Sequence, residues 1–142
     1  MSCFETRFRV RYAETDQMGI VYYANYLIWM EIGRVEYCRQ AGFAYAEMEA
    51  EHGVLLTVVE ANCRYKFPAR YDEEIFVRTR ILRSNPKVIV FGYEIVRAED
   101  GRLLAEGDTK HVFCSRDLKP VRAPERYFAS LGIARAPAAS AP

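Results

Sequence analysis

Residues 4–11 alternate Phe4, Thr6, Phe8 and Val10 with Glu5, Arg7, Arg9 and Arg11, the period-two pattern of a strand with one buried face. The alternation then stops at YAETDQMG, residues 12–19, whose Thr, Asp and Gly content is that of a loop. From about Tyr23 an apolar run through Tyr26, Leu27, Ile28, Trp29, Met30, Ile32 and Val35 predicts a helix reaching Ala41 and ended by Gly42. Its first half has no polar break, so it reads as a helix buried on every side. Only Glu31, Arg34, Glu36, Arg39 and Gln40 offer a face to water, and Glu31 and Arg34 have the spacing of an i,i+3 ion pair.

A short helix is predicted over 44–51, and alternation returns over 55–67, with Thr57, Val59, Ala61, Cys63, Tyr65 and Phe67 on one face. Pro68 ends that strand. A further strand over 74–83 turns Ile75, Val77, Thr79 and Ile81 inward, and Ser84-Asn85-Pro86 makes a turn into the apolar strand 88–97. Asp100-Gly101 is a hairpin signal joining it to an antiparallel neighbour over 103–114, with Ala105, Gly107, Thr109, His111 and Phe113 inward. Residues 124–131 read as a short helix with Pro124 at its first position. The tail 135–142 has too few large apolar residues to pack and is expected to be disordered, leaving one domain over 1–134.

This order predicts an α+β fold, an antiparallel sheet of about five strands wrapped around one long apolar helix. One small sheet cannot cover so apolar a helix on all sides, so an oligomer is expected.

Composition narrows the partners. A net charge of +1 over 142 residues provides no overall field for nucleic acid. No apolar run approaches the ~18 residues of a membrane span, and charges occupy the N-terminal positions where a signal peptide would be apolar; a cytoplasmic protein is expected. Cys3, Cys38, Cys63 and Cys114 lack paired spacing and read as free thiols, mostly buried. His52 reads as a loop residue and His111 as a hydrogen-bonded core or interface one, and two isolated histidines make no metal site. There is no Gly-x-Ser-x-Gly elbow, phosphate-binding glycine loop or dinucleotide fingerprint.

The chemistry concentrates where loop meets helix, near residues 20–25. A helix start has unpartnered N–H groups and a positive dipole end, which attract an anion or a polarised carbonyl oxygen. Asp16 lies just upstream, in a turn that Gly19 permits. On the loop alone it either caps local N–H groups in an Asx-turn or serves as a base or nucleophile. Tyr22 and Tyr23 are candidates to line an acyl or aryl pocket.

Asp16, followed by Gly19, Ile20, Val21, Tyr22, Tyr23, Asn25, Tyr26, Glu31 and Arg34, resembles the signature of the 4-hydroxybenzoyl-CoA thioesterase family of hotdog-fold proteins, including its bacterial acyl-CoA thioesterase branch. The likeness continues through Tyr65, Pro68, Tyr71 and Asp72 or Glu73, to about Pro124. It implies a hotdog fold, a homodimer or homotetramer, and an active site between subunits. It makes Asp16 the catalytic carboxylate and the Tyr23 backbone N–H the group that polarises the thioester carbonyl, with Gly19, Val21, Tyr22 and Tyr26 at the substrate. Lys87 resembles a basic position near the nucleotide, and Arg83 is close to it in sequence. Many members of the branch have His where Tyr23 stands; a backbone donor survives that change, an imidazole does not.

The expected reaction is hydrolysis of an acyl-CoA to a carboxylic acid and free coenzyme A, with Asp16 attacking directly or activating water. Coenzyme A is part of the substrate, and no further cofactor is required. The alternatives are hydrolysis of an acyl carrier protein thioester and a non-catalytic acyl-CoA binding or sensor module.

Overall fold

The first strand, β1 (Cys3–Arg9), lies antiparallel to β3 (Glu74–Ser84) with Phe4 opposite Thr79, Thr6 opposite Val77 and Phe8 opposite Ile75, so the alternating apolar set faces inward as its period requires. The computed structural model describes residues 3–134; the tail expected at 135–142 lies outside the described residues. After a 3₁₀ turn at Tyr12–Glu14 come the long helix α1 (Asn25–Gln40) and the short helix α2 (Tyr45–His52), which Gly53 ends in the left-handed conformation. Strands β2 (Val54–Tyr65), β4 (Val88–Arg97) and β5 (Arg102–Ser115) complete one antiparallel sheet of order β1-β3-β4-β5-β2. Helix α1 packs on β1, β2, β3 and β4, the sheet-around-helix arrangement expected of a hotdog fold.

Three local expectations are corrected. In β2 a register shift between Val58 and Glu60 swaps the faces: Ala61, Cys63 and Tyr65 share the inner face with Leu56 and Val58, while Thr57 and Val59 do not. A bulge adds one residue, and with a side-chain period of two that reverses every position on one side of it. As expected, one sheet does not cover helix α1 all round, and Leu27, Ile28 and Ile32 form an exposed stripe. The Glu31–Arg34 pair does not form. Arg34 turns inward, where its Nη1 donates to the Tyr93 hydroxyl at 3.2 Å, and Glu31 stays at the surface. Finally, residues 124–131 do not make an α-helix: Pro124 is extended and caps a 3₁₀ turn, Glu125–Tyr127, that continues as turns. That stretch is too short to repay helix nucleation, and Tyr127, Phe128 and Leu131 are buried without one.

Helix and sheet approach closely because Gly33 faces β3. A Cβ there would meet Thr79 Oγ1 at 2.5 Å and Val77 Cγ1 at 2.8 Å, both on branched side chains that cannot swing away. Below the helix runs a buried polar chain. Arg34 donates to Tyr93, whose hydroxyl lies 2.6 Å from Thr109 Oγ1, which in turn lies 2.7 Å from His111 Nε2. Burial, with the Arg34 charge second, pushes the His111 imidazole down to about 3. Cys38 is buried beside this layer and burial raises its thiol to about 11, keeping it unreactive at neutral pH. The described cysteines are all free, with Cys3 at the surface, unlike the others.

Gly33→Ala gains helix propensity but overpacks the interface, so it should lower the unfolding free energy by about 1–3 kcal/mol in chemical denaturation. His111 binds its proton near 6.5 in the unfolded chain and only near 3 when folded, so the stability it contributes is complete above 6.5 and is lost as pH falls toward 3. Denaturation midpoints measured across that window should fall less steeply for a folded His111→Gln variant than for the wild type.

Candidate active site

Residues 15–21 form a closed turn. Thr15 and Val21 pair as an isolated antiparallel bridge, the Asp16 N–H donates to Ile20 O at 2.9 Å, and the Gly19 N–H donates to Asp16 O at 2.9 Å, with Gly19 left-handed at φ 77°. The half-buried Asp16 accepts the Met18 N–H on Oδ1 at 2.8 Å, so the Asx-turn is present. It occupies one carboxylate oxygen and orients the group; among the described residues Oδ2 has no hydrogen-bond partner. The two readings of Asp16 are therefore compatible.

Glu14, two residues earlier and absent from the candidates read from the sequence, fixes this turn to the helix. The residue is 4% exposed, and its carboxylate accepts the Trp29 indole N–H at 2.9 Å, the Arg11 backbone N–H at 2.8 Å and Arg11 Nη2 at 3.5 Å. Its carbonyl oxygen accepts the Tyr22 N–H at 2.8 Å and Asn25 Nδ2 at 3.0 Å. One residue thus ties the catalytic candidate's loop to both the first and second turns of α1. The signal available in sequence was a carboxylate three residues after Arg11 and upstream of the only tryptophan, which without distances looks like an ordinary loop acid.

The helix starts two residues later than expected, at Asn25, so Tyr23 lies in the turn that precedes it. There the Asn25, Tyr26 and Leu27 N–H groups donate to Tyr22 O, Tyr23 O and Ala24 O respectively. Among the described residues, the N–H groups of Tyr23 and Ala24 have no partner. They are the open donors at the positive end of α1.

Beside them lies a cavity of about 300 Å³ lined by Ile20, Val21, Tyr23, Tyr26, Tyr65, Lys66, Phe67 and Pro68. The buried Val21 is held by its N–H to Ala69 O at 2.9 Å, and Tyr26 accepts the Ala69 N–H on its hydroxyl at 3.1 Å. Burial raises the Tyr26 hydroxyl, so it keeps its proton and can still donate. Tyr22 and Tyr23 stack obliquely, ring centroids 4.7 Å apart; the Tyr22 hydroxyl is raised by its hydrogen bond to Tyr23 and, less, by the nearby Asp16 charge.

Residues 10–131 match the model of the thioesterase-like superfamily. The chain belongs to this superfamily. It is 45% identical over 114 residues to the Bacillus subtilis protein YneP, covering 80% of this chain and 81% of that one. It is 35% identical over 111 residues to the acyl-CoA thioester hydrolase YbgC of Escherichia coli O157:H7, covering 78% and 81%. Among solved structures, a DHNA-CoA thioesterase from Staphylococcus aureus superposes with a TM-score of 0.84 at 37% identity, over 90% of this chain and 85% of that one. The structure BH1999 gentisyl-coenzyme A thioesterase gives a TM-score of 0.79 at 29% identity, over 86% and 97%.

Of the residues expected at the site of this superfamily member, Asp16, Gly19, Val21, Tyr22, Tyr23 and Tyr26 come together at the loop-to-helix junction. Arg83 and Lys87 do not. They flank the β3–β4 turn, where Val88 stands opposite Val112, whereas Tyr65 shares a row with Ala105 and Ile95. That is about seven residues further along β4, ~23 Å at 3.3 Å per residue. Among the described residues no group of three or more His, Cys, Asp or Glu could hold a metal ion, and no helix is long and apolar enough to cross a membrane.

Removing the Glu14 carboxylate leaves the buried Trp29 N–H without an acceptor. Glu14→Ala should therefore cost about 2–4 kcal/mol of unfolding free energy. A loss under about 1 kcal/mol for Glu14→Ala would mean that the carboxylate does not anchor the loop.

Proposed function

We propose that this chain hydrolyses acyl-CoA thioesters. The single observation that carries the reading is the junction itself: a half-buried carboxylate with a free oxygen, two unpartnered backbone donors at a helix start, and an apolar cavity beside them. The names of YbgC and of the S. aureus and BH1999 structures, all thioesterases or thioester hydrolases, support it.

The thioester carbonyl oxygen takes the Tyr23 N–H, which stabilises the negative charge that develops on it when the carbonyl carbon is attacked. Asp16 either attacks that carbon through its free oxygen, giving a mixed anhydride that water then cleaves, or removes a proton from the attacking water. In both routes the carbon–sulfur bond breaks, sulfur leaves with the electron pair as coenzyme A thiolate, and the oxygen of water ends in the carboxylic acid. The acyl group lies against Tyr23, Tyr26 and Tyr65. A cavity of about 300 Å³ with aromatic walls suits a ring or a short chain better than a long fatty acyl chain.

The active unit is a homodimer or a multiple of one, joined along β2. That strand is a sheet edge of 12 residues with exposed Val58 and Val59, and Leu27, Ile28 and Ile32 are uncovered on α1. A long apolar edge is an aggregation hazard unless it is paired. Two-fold pairing of β2 with itself is antiparallel and sets the Tyr65 end of one protomer beside the Val54 end of its partner. The Arg83–Lys87 turn lies at that Val54 end of the sheet, so pairing brings the partner's Arg83 and the partner's Lys87 toward the end of the sheet that holds this cavity, where, with Lys66 on the cavity wall, they suit the phosphates of coenzyme A.

Release of free thiol from benzoyl-, acetyl- and palmitoyl-CoA, and from an acyl carrier protein thioester, tests the reading. Wild type should turn over the benzoyl or acetyl substrate fastest, and Asp16→Asn should lose roughly a hundred- to ten-thousand-fold in kcat while remaining folded. No turnover of any thioester would overturn the proposal and favour a binding module. Equal rates in both proteins would remove Asp16 from the chemistry. Sedimentation should give at least a dimer; a monomer at micromolar concentration would remove the shared site.

A further inference from the structure

The peptide groups at the start of α1 differ in what their carbonyl oxygens accept. Tyr22 O takes one bond, from the Asn25 N–H at 2.9 Å. Tyr23 O takes two: the Tyr26 N–H at 3.3 Å, and the Tyr65 hydroxyl at 3.1 Å, reaching over from the far end of β2. The Tyr23 carbonyl and the Ala24 N–H belong to the same peptide plane, and that N–H is one of the two left open.

We propose that Tyr65 is a positioning residue for the hydrolysis: by binding the Tyr23 carbonyl it locks the Tyr23–Ala24 peptide, so that the Ala24 N–H joins the Tyr23 N–H as a second donor to the thioester oxygen. The inference rests on the thioesterase reading and goes beyond it in assigning a second donor and the side chain that sets it.

Three observations support the assignment. The hydroxyl bond is long-range, spanning 42 residues, and no local turn geometry requires it. A donor on a carbonyl oxygen also polarises the N–H of the same peptide, strengthening it as a donor. The Tyr65 ring is itself held edge-on against Tyr26 at 5.1 Å and Tyr23 at 6.3 Å, and it lines the cavity. Tyr65 is 48% exposed, but partial desolvation at the cavity wall and the neighbouring Cys63 raise its hydroxyl to about 12, so at neutral pH the proton stays on the oxygen and the group remains a donor. Tyr65 thus has two separable parts, a ring that forms wall and a hydroxyl that fixes the peptide.

Tyr65→Phe separates them, because it keeps the ring and removes only the oxygen. With benzoyl-CoA, kcat should fall roughly ten-fold with KM within about two-fold of wild type, a smaller loss than removing an oxyanion donor outright. In the non-hydrolysing Asp16→Asn background, the infrared carbonyl stretch of bound benzoyl-CoA should lie closer to its value in water when Tyr65→Phe is added. Unchanged kcat and an unchanged stretch in folded Tyr65→Phe would overturn the proposal. A raised KM with kcat intact would also overturn it, reducing Tyr65 to cavity wall. If wild type hydrolyses no thioester, the functional reading itself has failed, and that outcome is read before any variant is compared.

Discussion

Glu14 places a buried charge beneath the loop and answers it with the Trp29 indole and the Arg11 main chain, while its carbonyl oxygen collects the Tyr22 N–H and the Asn25 amide. Burying a carboxylate is costly unless its oxygens are bonded, so the arrangement persists only when loop and helix stand in one relation to each other. That relation decides where Asp16 points and which two N–H groups at the helix start remain open. The sheet supplies the rest of the frame: Val21 hangs from Ala69, and Tyr26 binds the same residue from the helix. The cavity is what remains between these fixed parts.

Much of this was legible in the chain. Strand β4 runs from Val88 to Arg97 as its apolar pattern and the Asp100-Gly101 turn require, and the inward set Ile75, Val77, Thr79 and Ile81 of β3 is buried. Asp16 and the junction near residues 20–25 were marked by a loop meeting an apolar helix. What could not be read was long-range. Arg34 looks like a surface residue paired with Glu31 because spacing along one helix is visible in sequence, whereas Tyr93, 59 positions away, is not. The bulge in β2 follows from its pairing with β5, and Glu14 acquires meaning only beside Trp29. Arg83 and Lys87 lie about seven residues along β4 from the Tyr65 row, a separation that depends on strand pairing and not on spacing along the chain.

The polar layer beneath α1 and the reactive junction above it serve opposite ends. Arg34, Tyr93, Thr109 and His111 are sealed from water, their proton equilibria pushed toward the neutral imidazole and the intact phenol. Such groups specify packing. At the junction, by contrast, Tyr22 and Tyr23 are well exposed and two backbone donors are unsatisfied. Donors left open at a helix end forgo stability there, and in the proposed hydrolysis an anionic transition state would offset that loss.

The most direct measurement is a crystal structure of Asp16→Asn soaked with benzoyl-CoA. The thioester oxygen should lie within hydrogen-bonding distance of the Tyr23 N–H, the ring between Tyr26 and Tyr65, and the substituted amide side chain at position 16 beside the carbonyl carbon. An acyl group bound away from this junction, with the helix-start donors facing solvent, would contradict it.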